Sequence, residues 1–136
     1  MTDLVITAAN VKCYGTKAEG IAGATIVAGN TVRRDASTGK MVLSSDNSAV
    51  NAETAGVALN AASDGQPLDY QKSGLIDLGA TIAVGKVYVQ STDGGIAPVD
   101  DHAGGEFATV IGVGTAANRL KMGIIASGVA AAGAVA

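Results

Sequence analysis

Few side chains in this sequence could do chemistry, and their spacing decides against most reactions. Cys13 is the single thiol and His102 the single imidazole, so together they are the one Cys–His pair available. A thiolate nucleophile needs a base within hydrogen-bond reach. His102 lies in Asp100-Asp101-His102-Ala103-Gly104-Gly105, a polar and glycine-rich run that reads as a solvated loop. A structural role there outweighs a catalytic one. A lone cysteine also makes no intramolecular disulfide, which fits synthesis in a reducing cytoplasm.

Carboxylates and glycine loops give no stronger signal. Asp100-Asp101 is an adjacent acid pair, but neighbouring acids in a Gly-rich loop are ordinarily a solvated turn. Asp93-Gly94-Gly95 falls short of a calcium loop, which needs further oxygen ligands and a closing Glu. Gly112-Val113-Gly114-Thr115-Ala116-Ala117 lacks the third glycine and the strand-to-helix setting of a dinucleotide site. There is no Gly-x-Ser-x-Gly elbow and no Lys-bearing phosphate loop. The expectation is no enzyme, with no catalytic, cofactor or metal residues.

Charge narrows the partners. The 136 residues carry a net charge of -3, and of the 9 basic residues only Arg33-Arg34 are adjacent. On a strand those two point to opposite faces, so the sequence predicts no phosphate-binding patch and no nucleic-acid partner. Met1 to Val11 holds no long apolar run behind basic residues, and Ala126 to Ala136 is far shorter than the ~20 residues of a membrane helix. Neither a secretory signal nor a membrane partner is expected.

A repeat organises the rest. Gly23-Ala24-Thr25-Ile26 returns as Gly79-Ala80-Thr81-Ile82, a shift of 56 residues that also matches Gly29 to Gly85, Gly39 to Gly95, Ala52 to Ala108 and Gly56-Val57 to Gly112-Val113. A two-residue deletion then brings Ser73-Gly74 onto Ser127-Gly128. Two tandem related β-units follow, covering about 23–74 and 79–128.

Each unit opens on a hairpin. Thr31 to Arg33 and Lys40 to Leu43 flank Asp35 to Gly39, while Lys86 to Gln90 and Ile96 to Val99 flank Ser91 to Gly95. Asp93-Gly94 supplies the positive φ of a tight primed turn, and Pro98 assigns its strand to an edge or an end. Further strands are expected at Gly56 to Leu59 and Ala108 to Val113, with closing strands at Gln66 to Tyr70, Gly74 to Leu78 and Arg119 to Ile125. Helix is limited to a short turn near Asn47 to Glu53, because no segment sustains a 3.6-residue apolar period. The class is all-β. With 3% aromatics and no Trp, intrinsic burial is thin, and self-association is the natural remedy.

The order of these short segments carries a resemblance. Gly56-Val57-Ala58-Leu59-Asn60 is followed by Ala61-Ala62-Ser63-Asp64-Gly65-Gln66-Pro67-Leu68 and by Ser73-Gly74 with an apolar strand. Val87-Tyr88-Val89 behind Gly85, then Asp93-Gly94-Gly95-Ile96-Ala97-Pro98 and a late Ile111-Gly112-Val113-Gly114, complete the series. Over roughly Ala18 to Ile125 the chain resembles the head-decoration, or cement, proteins of tailed bacteriophages.

The resemblance implies a compact β-domain of β-tulip or small-sandwich type at 12–127, preceded by an N-terminal arm at 1–11. It implies a homotrimer on the outer surface of the virion capsid, at three-fold and quasi-three-fold positions, clamping the phage major capsid protein and stabilising the head. Leu4, Val5, Ile6 and Thr7 form the expected capsid-binding strand of the arm, either pairing within the trimer or, preferably, adding to a capsid sheet edge. Removing Met1 to Ala9 is then expected to spare folding and to abolish head binding. The Ala/Gly tail at 128–136 has no family counterpart and is expected to be flexible or lightly ordered. The alternatives are another virion structural protein, in the tail or fibre, and a ligand-binding β-barrel, which the shortage of aromatic platforms disfavours.

Overall fold

The computed structural model describes residues 3–101 and 105–130. Nine strands occupy Val11–Ile21 (β1), Thr31–Arg34 (β2), Met41–Leu43 (β3), Gly56–Ala58 (β4), Pro67–Leu78 (β5), Val87–Gln90 (β6), Ile96–Pro98 (β7), Phe107–Ala116 (β8) and Arg119–Ala130 (β9). Two single 3-10 turns, Ala8–Asn10 and Val99–Asp101, complete the regular structure, and the described residues contain no α-helix. The turn expected near Asn47 is present as hydrogen-bonded turns that stop short of a helix. The compact all-β domain is therefore realised as one antiparallel sheet in the order β3-β2-β4-β5-β9-β8-β6-β7, with β1 along the other side of β5.

The hairpins lie where the turn residues require them. Asp93 and Gly94 have φ of 47° and 81°, and the Gly95 amide closes the turn on the Thr92 carbonyl at 3.1 Å. Two successive positive φ angles are what a primed turn demands, and an Asp-Gly step supplies them at least strain. Pro98 closes β7 at the end of the sheet order, where an absent amide costs no ladder bond.

Two features depart from the sequence reading. The closing strands at Gln66 to Tyr70 and Gly74 to Leu78 are one strand, β5, which runs straight through Gln71 to Ser73. It continues because it pairs along its whole length with β1, a strand the sequence did not disclose. The register slips between Thr16 and Lys17, and there Gly15 packs so tightly that an added Cβ would lie 2.1 Å from the Ser73 carbonyl oxygen. Gly74, at φ 90°, faces it. A glycine pair lets two backbones meet at the bulge.

β5 contributes to two buried clusters. Leu68 and Tyr70 of its first half are buried with Ile26, Val32, Met41 and Ala58. Ile76 of its second half is buried with Tyr88, Ile96, Ile111, Leu120 and Met122 in a second cluster. Around the first, the sheet curls until the Gly23 amide reaches the Met41 carbonyl at 2.7 Å.

Hydrogen bonds recur at the 56-residue spacing. Gly29 donates to the Ala58 carbonyl at 2.9 Å and Gly85 to the Gly114 carbonyl at 2.8 Å. Thr31 opposite Val57 is matched by Val87 opposite Val113. Past that point the correspondence differs from the sequence alignment: Val57 faces Gln71 and Val113 faces Lys121, so 71 matches 121 at an offset of 50.

Candidate interaction surfaces

The N-terminal segment is seated on the domain. Leu4 donates its amide to the Ile96 carbonyl at 2.7 Å and Thr7 donates to the Gly79 carbonyl at 2.9 Å, so the segment spans from β7 to the end of β5. Leu4 and Ile6 are half-buried against the second cluster, whereas Val5 is 88% exposed and Thr7 is exposed. Glycines make the seat: a Cβ on Gly29 would lie 2.5 Å from Ile6, and one on Gly79 would lie 2.4 Å from the Thr7 carbonyl oxygen. Of the four expected contact residues, two face inward and two outward. They form an extended segment without strand pairing. Leu4 and Ile6 cover side chains of the second cluster, so the segment packs on the domain while it presents Val5 and Thr7.

A second surface was invisible in the sequence. On the outer face of the sheet, Lys12, Asp77 and Arg119 are successive cross-strand neighbours over β1, β5 and β9. The next row is Tyr14, Leu75, Lys121 and Val113. The Arg119 guanidinium carbon lies 4.4 Å from the centroid of the Tyr14 ring, a cation–π stack between the two rows. Tyr14 is 51% exposed and Val113 is exposed. Basic residues scattered in sequence thus gather around an aromatic on one face.

Near the far end of β9, a shallow cavity of about 160 Å³ is lined by Ala49, Val50, Glu53, Ala126 and Gly128. Val50, Ile125 and Val129 are exposed here or alongside. Its one charged lining residue is acidic.

No family model matches the chain, and no curated protein matches it.

The remaining polar cluster is internal. Asp46, buried in the loop after β3, accepts a hydrogen bond from the Thr92 hydroxyl at 3.3 Å and lies beside the Glu106 carboxyl. Burial first and the neighbouring Glu106 carboxyl second push its carboxyl up to about 6, with the Thr92 hydrogen bond opposing both. Gln90, fully buried, donates to the carbonyls of Ser44, Ser91 and Gly95 and accepts from Thr54. It ties β6 to the loops around β3 and β4. Among the described residues no group of three or more His, Cys, Asp or Glu is placed to hold a metal. Cys13 is half-buried on β1, and His102 lies outside the described residues.

Proposed function

We propose that this chain is a capsid decoration protein of a tailed bacteriophage, a homotrimer on the outer surface of the virion head that clamps neighbouring major capsid subunits. The observation that carries this reading is the ordered series of short Gly-rich segments from Gly56 to Gly114. Two structural features support it. The series folds into one compact all-β sheet, and the N-terminal segment presents Val5, 88% exposed, beside anchored neighbours. Val5 and Thr7, outward on a segment whose neighbours are anchored, are the capsid-facing residues of this reading. Many weak contacts repeated over a lattice give strong retention without any single strong one.

Val5→Asp and Thr7→Asp leave the core side chains Leu4 and Ile6 in place. Mixed with undecorated heads and imaged by electron microscopy, the wild-type protein should occupy three-fold and quasi-three-fold positions, and the double variant should not. Density for the wild-type protein confined to the tail would favour a tail or fibre component, and no density on any virion part would overturn the reading.

A further inference from the structure

The two surfaces flanking β9 are complementary in kind. One presents an aromatic ring and cations, Tyr14 with Arg119 and Lys121, around Leu75. The other presents an apolar cavity with one carboxylate, Glu53, and the exposed Val50. We propose that these surfaces bind each other between copies of this chain, the Tyr14–Lys121 face of one copy docking on the Val50–Glu53 cavity of the next.

Three observations select a second copy as the occupant. Within these two rows Lys12, Arg119 and Lys121 outnumber Asp77, so a two-fold contact that laid the rows on themselves would be repulsive. Asp77 in the middle of the row disfavours a phosphate backbone as well. The chain as a whole carries a net charge of -3, which places the basic face against the general sign of its own surface. Finally, Lys121 and Ala126 are five residues apart on one strand, about 17 Å at the rise of a β-strand, so the two surfaces are separate on each copy. A contact between different patches is heterologous, and a heterologous contact that closes makes a ring. This rests on the self-association part of the function proposed above and assigns the surfaces of that trimer.

Lys121 and Glu53 are both exposed, so reversing either charge leaves the core untouched. Sedimentation of the wild-type protein should show a trimer, while Lys121→Glu and Glu53→Lys should each raise the dissociation constant by about 10-fold or more. The combined Lys121→Glu/Glu53→Lys variant should recover to within about 3-fold of wild type, because the swapped charges attract again. A wild-type trimer left unchanged by both single reversals overturns this surface assignment while leaving the trimer standing. Singles that weaken association with no recovery in the combined variant overturn the pairing of these two residues. A wild-type chain that stays monomeric at on the order of 100 μM overturns the trimer and this interface together.

Discussion

Leu4 and Ile96 are joined by a backbone hydrogen bond of 2.7 Å, which fixes the start of the N-terminal segment on β7, the last strand of the sheet order. From there the segment crosses to Gly79 with Leu4 and Ile6 packed on the second cluster, so it covers apolar side chains as well as presenting Val5. Truncation to residue 10 removes the half-buried Leu4 and Ile6 and should lower unfolding stability by about 2–4 kcal/mol. Urea titration followed by circular dichroism measures it. A truncated protein as stable as the full chain would show the cover to be dispensable.

Gly56 and Gly112 meet the facing strand alike. An added Cβ would sit 2.3 Å from the carbonyl oxygen of Gln71 in one case and of Lys121 in the other. Gly56→Ala and Gly112→Ala should each cost more than about 2 kcal/mol, since strand backbones must separate to admit the methyl group. Gly123→Ala on β9 meets nothing within 4 Å and should be neutral or slightly stabilising. Thermal melts of the three variants side by side would expose any failure of this ranking.

Asp46 gives stability a pH dependence of definite sign. Its folded value of about 6 exceeds the ordinary 3.8, so between those pH values the native state holds more protons than the unfolded chain. The contribution is full below pH 3.8 and is lost as pH rises through about 6. Asp46→Asn should flatten that slope and gain about 1–3 kcal/mol at pH 8 relative to wild type. Denaturant midpoints at a series of pH values from 4 to 8 test it, and an unchanged slope in the variant would exclude Asp46 as its source.

Gln90 holds three carbonyls with one amide group. Gln90→Leu keeps the volume but removes the side-chain donor from the Ser91 carbonyl, while the Ser44 and Gly95 oxygens keep the Gly94 and Ser91 amides and the Thr54 hydroxyl keeps the Ala52 carbonyl. A loss of about 1–3 kcal/mol is expected. Gln90→Glu should lose at least as much at pH 8, because its carboxylate would face the same carbonyls without a donor. Equal stability of wild type and Gln90→Leu would mean the network contributes nothing net.

Local chemistry alone determined the all-β class, both hairpins, the Asp93-Gly94 turn and the edge position of Pro98. Each of these depends on φ preference or on a missing amide, properties a residue keeps wherever it sits. β1 escaped notice for the opposite reason. Its glycines at 15 and 20 have little intrinsic strand preference, and what holds it extended is a twelve-residue partner whose paired positions lie 46 to 67 residues away. The split expected at Gln71 to Ser73 failed likewise, since a polar stretch becomes strand when a neighbour supplies its hydrogen bonds and a core supplies burial for Gln71. Tertiary structure also decided the surfaces. Lys12, Tyr14, Arg119 and Lys121 are more than a hundred residues apart at the extremes, and only the registers of β1, β5 and β9 place them in adjoining rows. Register is a long-range property, set by which apolar side chains face the core across several strands. The same holds for the N-terminal segment: its residue types announced an apolar strand, but which of Leu4, Val5, Ile6 and Thr7 face outward was fixed by the glycine-lined seat at Gly29 and Gly79.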